Sequence, residues 1–95
     1  MTEIRWLRKA TASFNREIDY VAARNPEAAR RLARRIENAV ERLSIFPESG
    51  RPGRIAGTRE LVVTGTPYIV PYRVKADRVE ILRVFHAMRR WPEAF

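Results

Sequence analysis

His86 is the chain's single histidine. It is also the one side chain whose ordinary pKa suits proton transfer near neutrality. Arg83 and Arg89 stand three residues to either side of it. Phosphodiester cleavage would ask for such a trio, an acid–base group with guanidinium forks to hold a phosphate and its developing charge. The competing use of His86 is structural, closing the end of a strand through a backbone hydrogen bond. A second set of cations, Arg51, Arg54 and Arg59, lies on or beside the glycine-rich stretch GRPGRIAG. These suit an acidic partner or a phosphate, or else local pairing with Glu48 and Glu60 on a solvated turn. The stretch lacks the Lys-Ser/Thr of a phosphate-binding loop, so its glycines serve backbone geometry.

Arg73 and Arg83 belong to strand-like segments. Simple alternation puts Arg83 on a face with Val79, Ile81 and Phe85, where an arginine calls for a carboxylate, from Glu60 or from another molecule. Arg90 and Trp91 follow Arg89 in the same basic tail. Trp6 and Trp91 read as core and rim packing before they read as stacking platforms. Glu3, Glu17 and Asp19 form no paired-carboxylate constellation for hydrolysis.

The composition narrows the chemistry. Cysteine is absent, which excludes disulfides and thiolate metal sites. One histidine and no acidic cluster at ligand spacing leave no expected metal, and no cofactor motif appears. The N-terminus MTEIRWLRKA has no apolar core of a signal peptide, and no run approaches the roughly 18 residues of a membrane span. The expected compartment is the cytoplasm. Nineteen basic against eleven acidic residues give +8, and all the cations but Lys9 and Lys75 are arginine. The excess is spread along the chain, +2 over residues 1–25, +2 over 26–46 and +4 over 47–95. A nucleic acid or an acidic protein segment is the partner such a charge implies.

Ninety-five residues make one domain with a thin core. Ile4–Leu7 is expected as a first strand. Apolar Ala10, Phe14, Ile18, Val21 and Ala22 recur at helical steps, giving a helix over 10–23 that lacks a clean cap. Asn25-Pro26 opens a second helix to about Ser44, with Ala29, Leu32, Ala33, Ile36, Val40 and Leu43 inward. Residues 47–58, with two prolines and three glycines, are expected as a loop or a short excursion. Three strands follow at Arg59–Thr64, Tyr68–Val74 and Arg78–His86, with Pro71 implying a bulge or an unpaired edge in the middle one. The order β-α-α-β-β-β is α+β, a small antiparallel sheet carrying an N-terminal helical hairpin.

The fragments Ile4-x-Trp6, Asn25-Pro26-x-Ala28-Ala29, Pro47-x-x-Gly50-Arg51-x-Gly53-Arg54, Gly57-Thr58-Arg59-Glu60-Leu61-Val62-Val63, Pro67-Tyr68-Ile69-Val70-x-Tyr72-Arg73-Val74 and Val79-x-Ile81-Leu82-Arg83-Val84-x-His86-x-x-Arg89-x-Trp91 run nearly the whole chain. Together they resemble the RelE/ParE superfamily of bacterial toxins. The resemblance implies a type II toxin–antitoxin toxin, neutralised by an antitoxin with an acidic C-terminal segment and meeting DNA only through that antitoxin. It also implies one of two activities, poisoning of DNA gyrase in the ParE-like branch or ribosome-dependent mRNA cleavage in the RelE-like branch. RelE-like nucleases carry a basic residue in the middle strand where this chain has Ile69, and a C-terminal tyrosine that has no match after Tyr72. Arg89 does match their C-terminal arginine, Arg54 and Arg59 offer charge in place of their lysines, and His86 lies near a histidine of some nuclease relatives. The ParE-like branch is favoured. A degenerate toxin that only pairs with its antitoxin is a further alternative. Arg51, Arg54, Arg59, Arg73, Arg83, Arg89, Arg90 and Trp91 are the expected partner or target contacts. The antitoxin is expected to bury the groove of the helical hairpin with part of the sheet.

Overall fold

A computed structural model describes residues 1–88 and Phe95. The expected contacts Arg89, Arg90 and Trp91 lie outside the described residues. Strand β1 (Glu3–Trp6) leads into helix α1 (Arg8–Ala22), which starts at Leu7 with no side-chain cap. Helix α2 (Pro26–Glu41) is better defined. The Asn25 side chain accepts a hydrogen bond from Ala28 N at 3.1 Å, Pro26 occupies the first turn, and Glu27 complements the positive end of the helix dipole. Asn25→Ala is expected to cost about 0.5–2 kcal/mol, read as a lower urea midpoint at unchanged slope. A 3₁₀ turn, Arg42–Ser44, carries α2 to the end expected for it.

The sheet strands are β2 (Arg51–Pro52), β3 (Arg59–Val62), β4 (Tyr68–Lys75), β5 (Arg78–Ile81) and β6 (Phe85–His86). Their order is β1-β5-β4-β3-β2, with β6 also on β4. The expected antiparallel run through β3, β4 and β5 is present. β1 adds to β5 in parallel, so the sheet is mixed, a pairing between chain ends that no local pattern carries.

The last strand is not the continuous Arg78–His86 of the expectation. Tyr72 pairs with Ile81, yet Ile69 pairs with Phe85, so the last strand carries one residue more than β4 between those points. Leu82 and Arg83 both fall opposite Pro71, which is a β-bulge. Pro71 O accepts from Leu82 N at 3.0 Å, so the N–H that proline lacks would have pointed at this same strand. The missing donor therefore stands at the break.

The bulge resets the faces. Val84 joins Val79 and Ile81 in the core, and His86 comes opposite Tyr68. Glu80, Arg83 and Phe85 take the other face. Alternation had grouped Arg83 with Val79 and Ile81, and one extra residue undoes that grouping. The helices cover only the core face, where Ala10, Ile36, Val40 and Leu43 pack on Val70, Tyr72, Val79 and Ile81. Trp6 belongs to this packing, edge-on to Phe14 at 5.4 Å.

Candidate functional site: a helix-free arginine face and a basic groove

Two buried glutamates organise the sheet face that the helices leave uncovered. Glu60 of β3 is bound by Arg51 through Nε at 3.1 Å and Nη2 at 3.0 Å, and by Arg54 through its backbone N at 3.1 Å and Nε at 3.4 Å. Glu80 of β5 is bound by Arg73 Nε at 2.7 Å and Arg78 Nε at 2.9 Å. Glu60 is 3% exposed and Glu80 5%, while the four arginine side chains are 36–51% exposed. The carboxylates lie beneath the guanidinium groups, so each triad presents cation to solvent. Glu60 is thus the partner of Arg51 and Arg54, not of Arg73 or Arg83.

Hydrogen bonds from Arg73 and then Arg78 hold the Glu80 carboxyl below its ordinary value, against a smaller upward push from desolvation. A carboxyl depressed in the folded state stabilises the fold above the ordinary glutamate value near 4.3, and loses that contribution as pH falls through its own lower value. Glu80→Gln is therefore expected to flatten the dependence of the urea midpoint on pH below about 4.5. An unchanged acid limb would count against the triad.

The loop that carries Arg51 and Arg54 is pinned from below. Tyr72 hydroxyl donates to Pro47 O at 2.9 Å and accepts from Gly50 N at 2.8 Å. Burial raises its pKa, so it stays a neutral phenol able to do both. A Cβ on Gly50 would stand 2.6 Å from the Tyr72 ring, so this close approach requires glycine. Arg59 donates to Glu48 O and Gly50 O and lies 4.0 Å from the Glu48 carboxylate, the local pairing that a solvated turn would give.

Arg83 is differently placed. Its guanidinium carbon lies 5.5 Å over the Phe85 ring, and its Nε is buried without a hydrogen-bond partner. A donor left so costs about 1–3 kcal/mol. His86 sits on the opposite face, edge-on to Tyr68 at 5.4 Å, its Nδ1 accepting from Met88 N at 3.2 Å. The structure does not bring Arg83 and His86 together. The histidine closes the strand end through the backbone.

Residues passed over in the sequence also shape the site. Arg78 and Glu80, two apart on one strand, were legible as a same-face pair. Glu17 is buried in α1 and accepts from Tyr68 hydroxyl at 3.2 Å, while Ser13 Oγ accepts from Val84 N at 2.9 Å. Their spacing from Ala10 by three and seven residues was the available signal. Among the described residues no group of three His, Cys, Asp or Glu could hold a metal. No helix there is long and apolar enough to cross a membrane.

A groove of about 880 Å³ runs between α2 and the β3 edge. Its floor includes Leu32, Ala39 and Val63, and Arg31, Arg34, Arg35 and Arg42 rim the helix side. β2 pairs only with Arg59 and Glu60, so the outer edge of Leu61 and Val62 meets no strand among the described residues. Val62 and Phe46, 48% and 62% exposed, add apolar surface along it.

Comparisons with known proteins place this architecture. The sequence model of the ParE toxin of the parDE type II toxin–antitoxin system matches residues 4–91. Y4kP of Sinorhizobium fredii is 48% identical over 90 residues, 95% of this chain and 93% of that protein. Toxin RelE2 of Caulobacter vibrioides is 38% identical over 89 residues, 94% of this chain and 99% of that protein. A solved structure of the chromosomal ParDE system from P. aeruginosa superposes with a TM-score of 0.82 at 30% identity, covering 90% of this chain and 96% of that one. A helical hairpin on one face of a mixed sheet, matched over nearly its whole length, makes this chain a member of the ParE toxin family, within the RelE/ParE superfamily of type II toxin–antitoxin systems.

Proposed function

We propose that this toxin arrests growth by poisoning DNA gyrase, and that its antitoxin seats an acidic, amphipathic C-terminal segment in the groove between α2 and β3. One observation carries the choice of target. His86 and Arg83 stand on opposite faces of the sheet, and buried Ile69 occupies the position where a nuclease of this superfamily would place a phosphate-holding cation. A general acid–base group and a phosphate clamp must reach one scissile bond to act on it. The groove supports the antitoxin reading, because its apolar floor and arginine rim complement a segment with leucine-like and acidic faces. Operator recognition belongs to the antitoxin, and the complex works in the cytoplasm.

The test is controlled expression in cells, following DNA synthesis and translation in parallel. DNA synthesis is expected to stop first, and His86→Ala is expected to remain toxic. Immediate translation arrest with ribosome-dependent mRNA cuts, abolished by His86→Ala, would reassign the toxin to mRNA cleavage, the reading that the RelE name of a 38% identical relative keeps in view. A folded chain without toxicity would make it an antitoxin-binding module.

A further inference from the structure

We infer that the helix-free sheet face binds the phosphodiester backbone of duplex DNA directly and without regard to sequence, with the Glu60 and Glu80 triads as two fixed phosphate clamps. This contact departs from the expectation that the chain meets DNA only through its antitoxin, and it is separate from operator binding and from the proposed antitoxin groove on the other side of the sheet.

The geometry is that of a built anion surface rather than of scattered surface charge. A free surface arginine must surrender side-chain entropy to hold a phosphate. Here Arg51, Arg73 and Arg78 are already fixed by charge-assisted hydrogen bonds through Nε, and Arg54 is anchored through both its backbone and its side chain. Binding through Nε in Arg73 and Arg78 leaves further guanidinium donors for a second anion. Register puts Glu60 of β3 across from Pro71, two residues before Arg73 on the same face of β4, with Glu80 directly across from Arg73. Strand spacing and rise then separate the two carboxylates by about 12 Å, too far for one phosphate to span. The clamps therefore take different phosphates of an extended backbone. Arg83 stands beside them, opposite Pro71 on the side of β4 away from Glu60, with its Nε buried and its guanidinium over the Phe85 ring. The five arginines and two glutamates carry a net +3.

Duplex DNA fits this surface better than a single strand. Single-strand grooves display aromatic platforms on which bases stack. Among the described residues the exposed groups over both clamps are guanidinium ions, and the nearby rings are Phe85, which lies under Arg83, and Phe95, packed against Phe85 at 6.0 Å. An acidic peptide would need apolar pockets to gain specificity, and those lie in the groove on the other side.

The test uses the full chain, free of antitoxin, with a labelled 20-base-pair duplex of arbitrary sequence and no gyrase. Its outcome is therefore independent of the gyrase reading. The logarithm of the affinity should fall linearly with the logarithm of salt, by about 0.9 per phosphate neutralised. Removing a whole triad as R73Q/R78Q/E80Q, so that no carboxylate is left bare, removes one clamp and should reduce that slope by about 0.9 and weaken binding about eightfold at 0.1 M salt. R51Q/R54Q/E60Q should do the same, and it keeps the test alive if the first variant fails to fold by circular dichroism. The control R31Q/R34Q, on the α2 rim, removes two charges where each triad variant removes only one. It should bind like the parent. Equal or greater loss in the control would reduce the effect to long-range charge and overturn the inference. So would tighter binding of a single-stranded RNA of equal charge, or displacement of the duplex by polyglutamate at equal charge.

Discussion

Replacing Arg31 and Arg34 together by glutamate is expected to slow association with the antitoxin by about 10- to 100-fold at low salt. Both side chains are exposed on the rim of the groove, and an antitoxin segment of the proposed acidic kind would meet them before any apolar contact forms. Rim charges of this kind act on encounter, so dissociation should change much less than association. The parent's association rate should itself fall as salt rises, and the gap between parent and variant should close above about 0.5 M, where the screening length is a few ångströms. Stopped-flow or surface-based kinetics across a salt series reads all of this. In cells the variant should be poorly neutralised by the same antitoxin. Association insensitive to salt, or equal for parent and variant, would place the antitoxin elsewhere.

The second large effect belongs to the core. Leu43 is fully buried where the turn after α2 meets the sheet. Leu43→Ala removes three buried carbons and leaves a cavity, for a loss of about 2–5 kcal/mol. Small domains hold only about 5–15 kcal/mol in total, so this variant should be partly unfolded on its own. A ligand that binds only the folded state adds stability in proportion to the logarithm of its concentration over its dissociation constant. The Leu43→Ala variant should therefore accumulate when co-expressed with antitoxin and vanish without it. Its thermal midpoint alone, if close to the parent's, would contradict the core as described.

Much of the fold was legible because its signals were local. Asn25-Pro26 marks the start of α2, and its apolar stripe from Ala29 to Leu43 is the stripe that packs on the sheet. The β3–β4–β5 run follows from alternation and turn residues. What stayed hidden depends on long-range pairing. The parallel seat of β1 beside β5 joins segments more than seventy residues apart. Pro71 announced a bulge, yet the extra residue lies on its partner strand, at Leu82 and Arg83, which sequence alternation cannot know. That single residue decides which face Val84 and His86 join.

The candidate site was legible in the same uneven way. Arg51, Arg54 and Arg73 were recognisable as cations on or beside a sheet, and the pairing of Arg51 and Arg54 with Glu60 was among the local readings. The burial of Glu60 and Glu80 beneath their arginines was not legible, because a carboxylate looks solvent-exposed until its neighbours are in place. Arg78 shares a face with Glu80 by simple alternation, but only the burial of that carboxylate marks the pair as a fixed one, and Glu17 is hidden because a buried glutamate breaks the apolar pattern by which a helix face is found.

Gyrase poisoning without RNA cleavage is the action we propose for this toxin. Purified gyrase turning over supercoiled plasmid, with and without the purified chain, tests it most directly. The chain, whether parent or His86→Ala, is expected to make linear plasmid accumulate, with protein covalently attached and released by denaturant and protease. No linear product in that assay, together with discrete cuts in mRNA on translating ribosomes that His86→Ala abolishes, would contradict it.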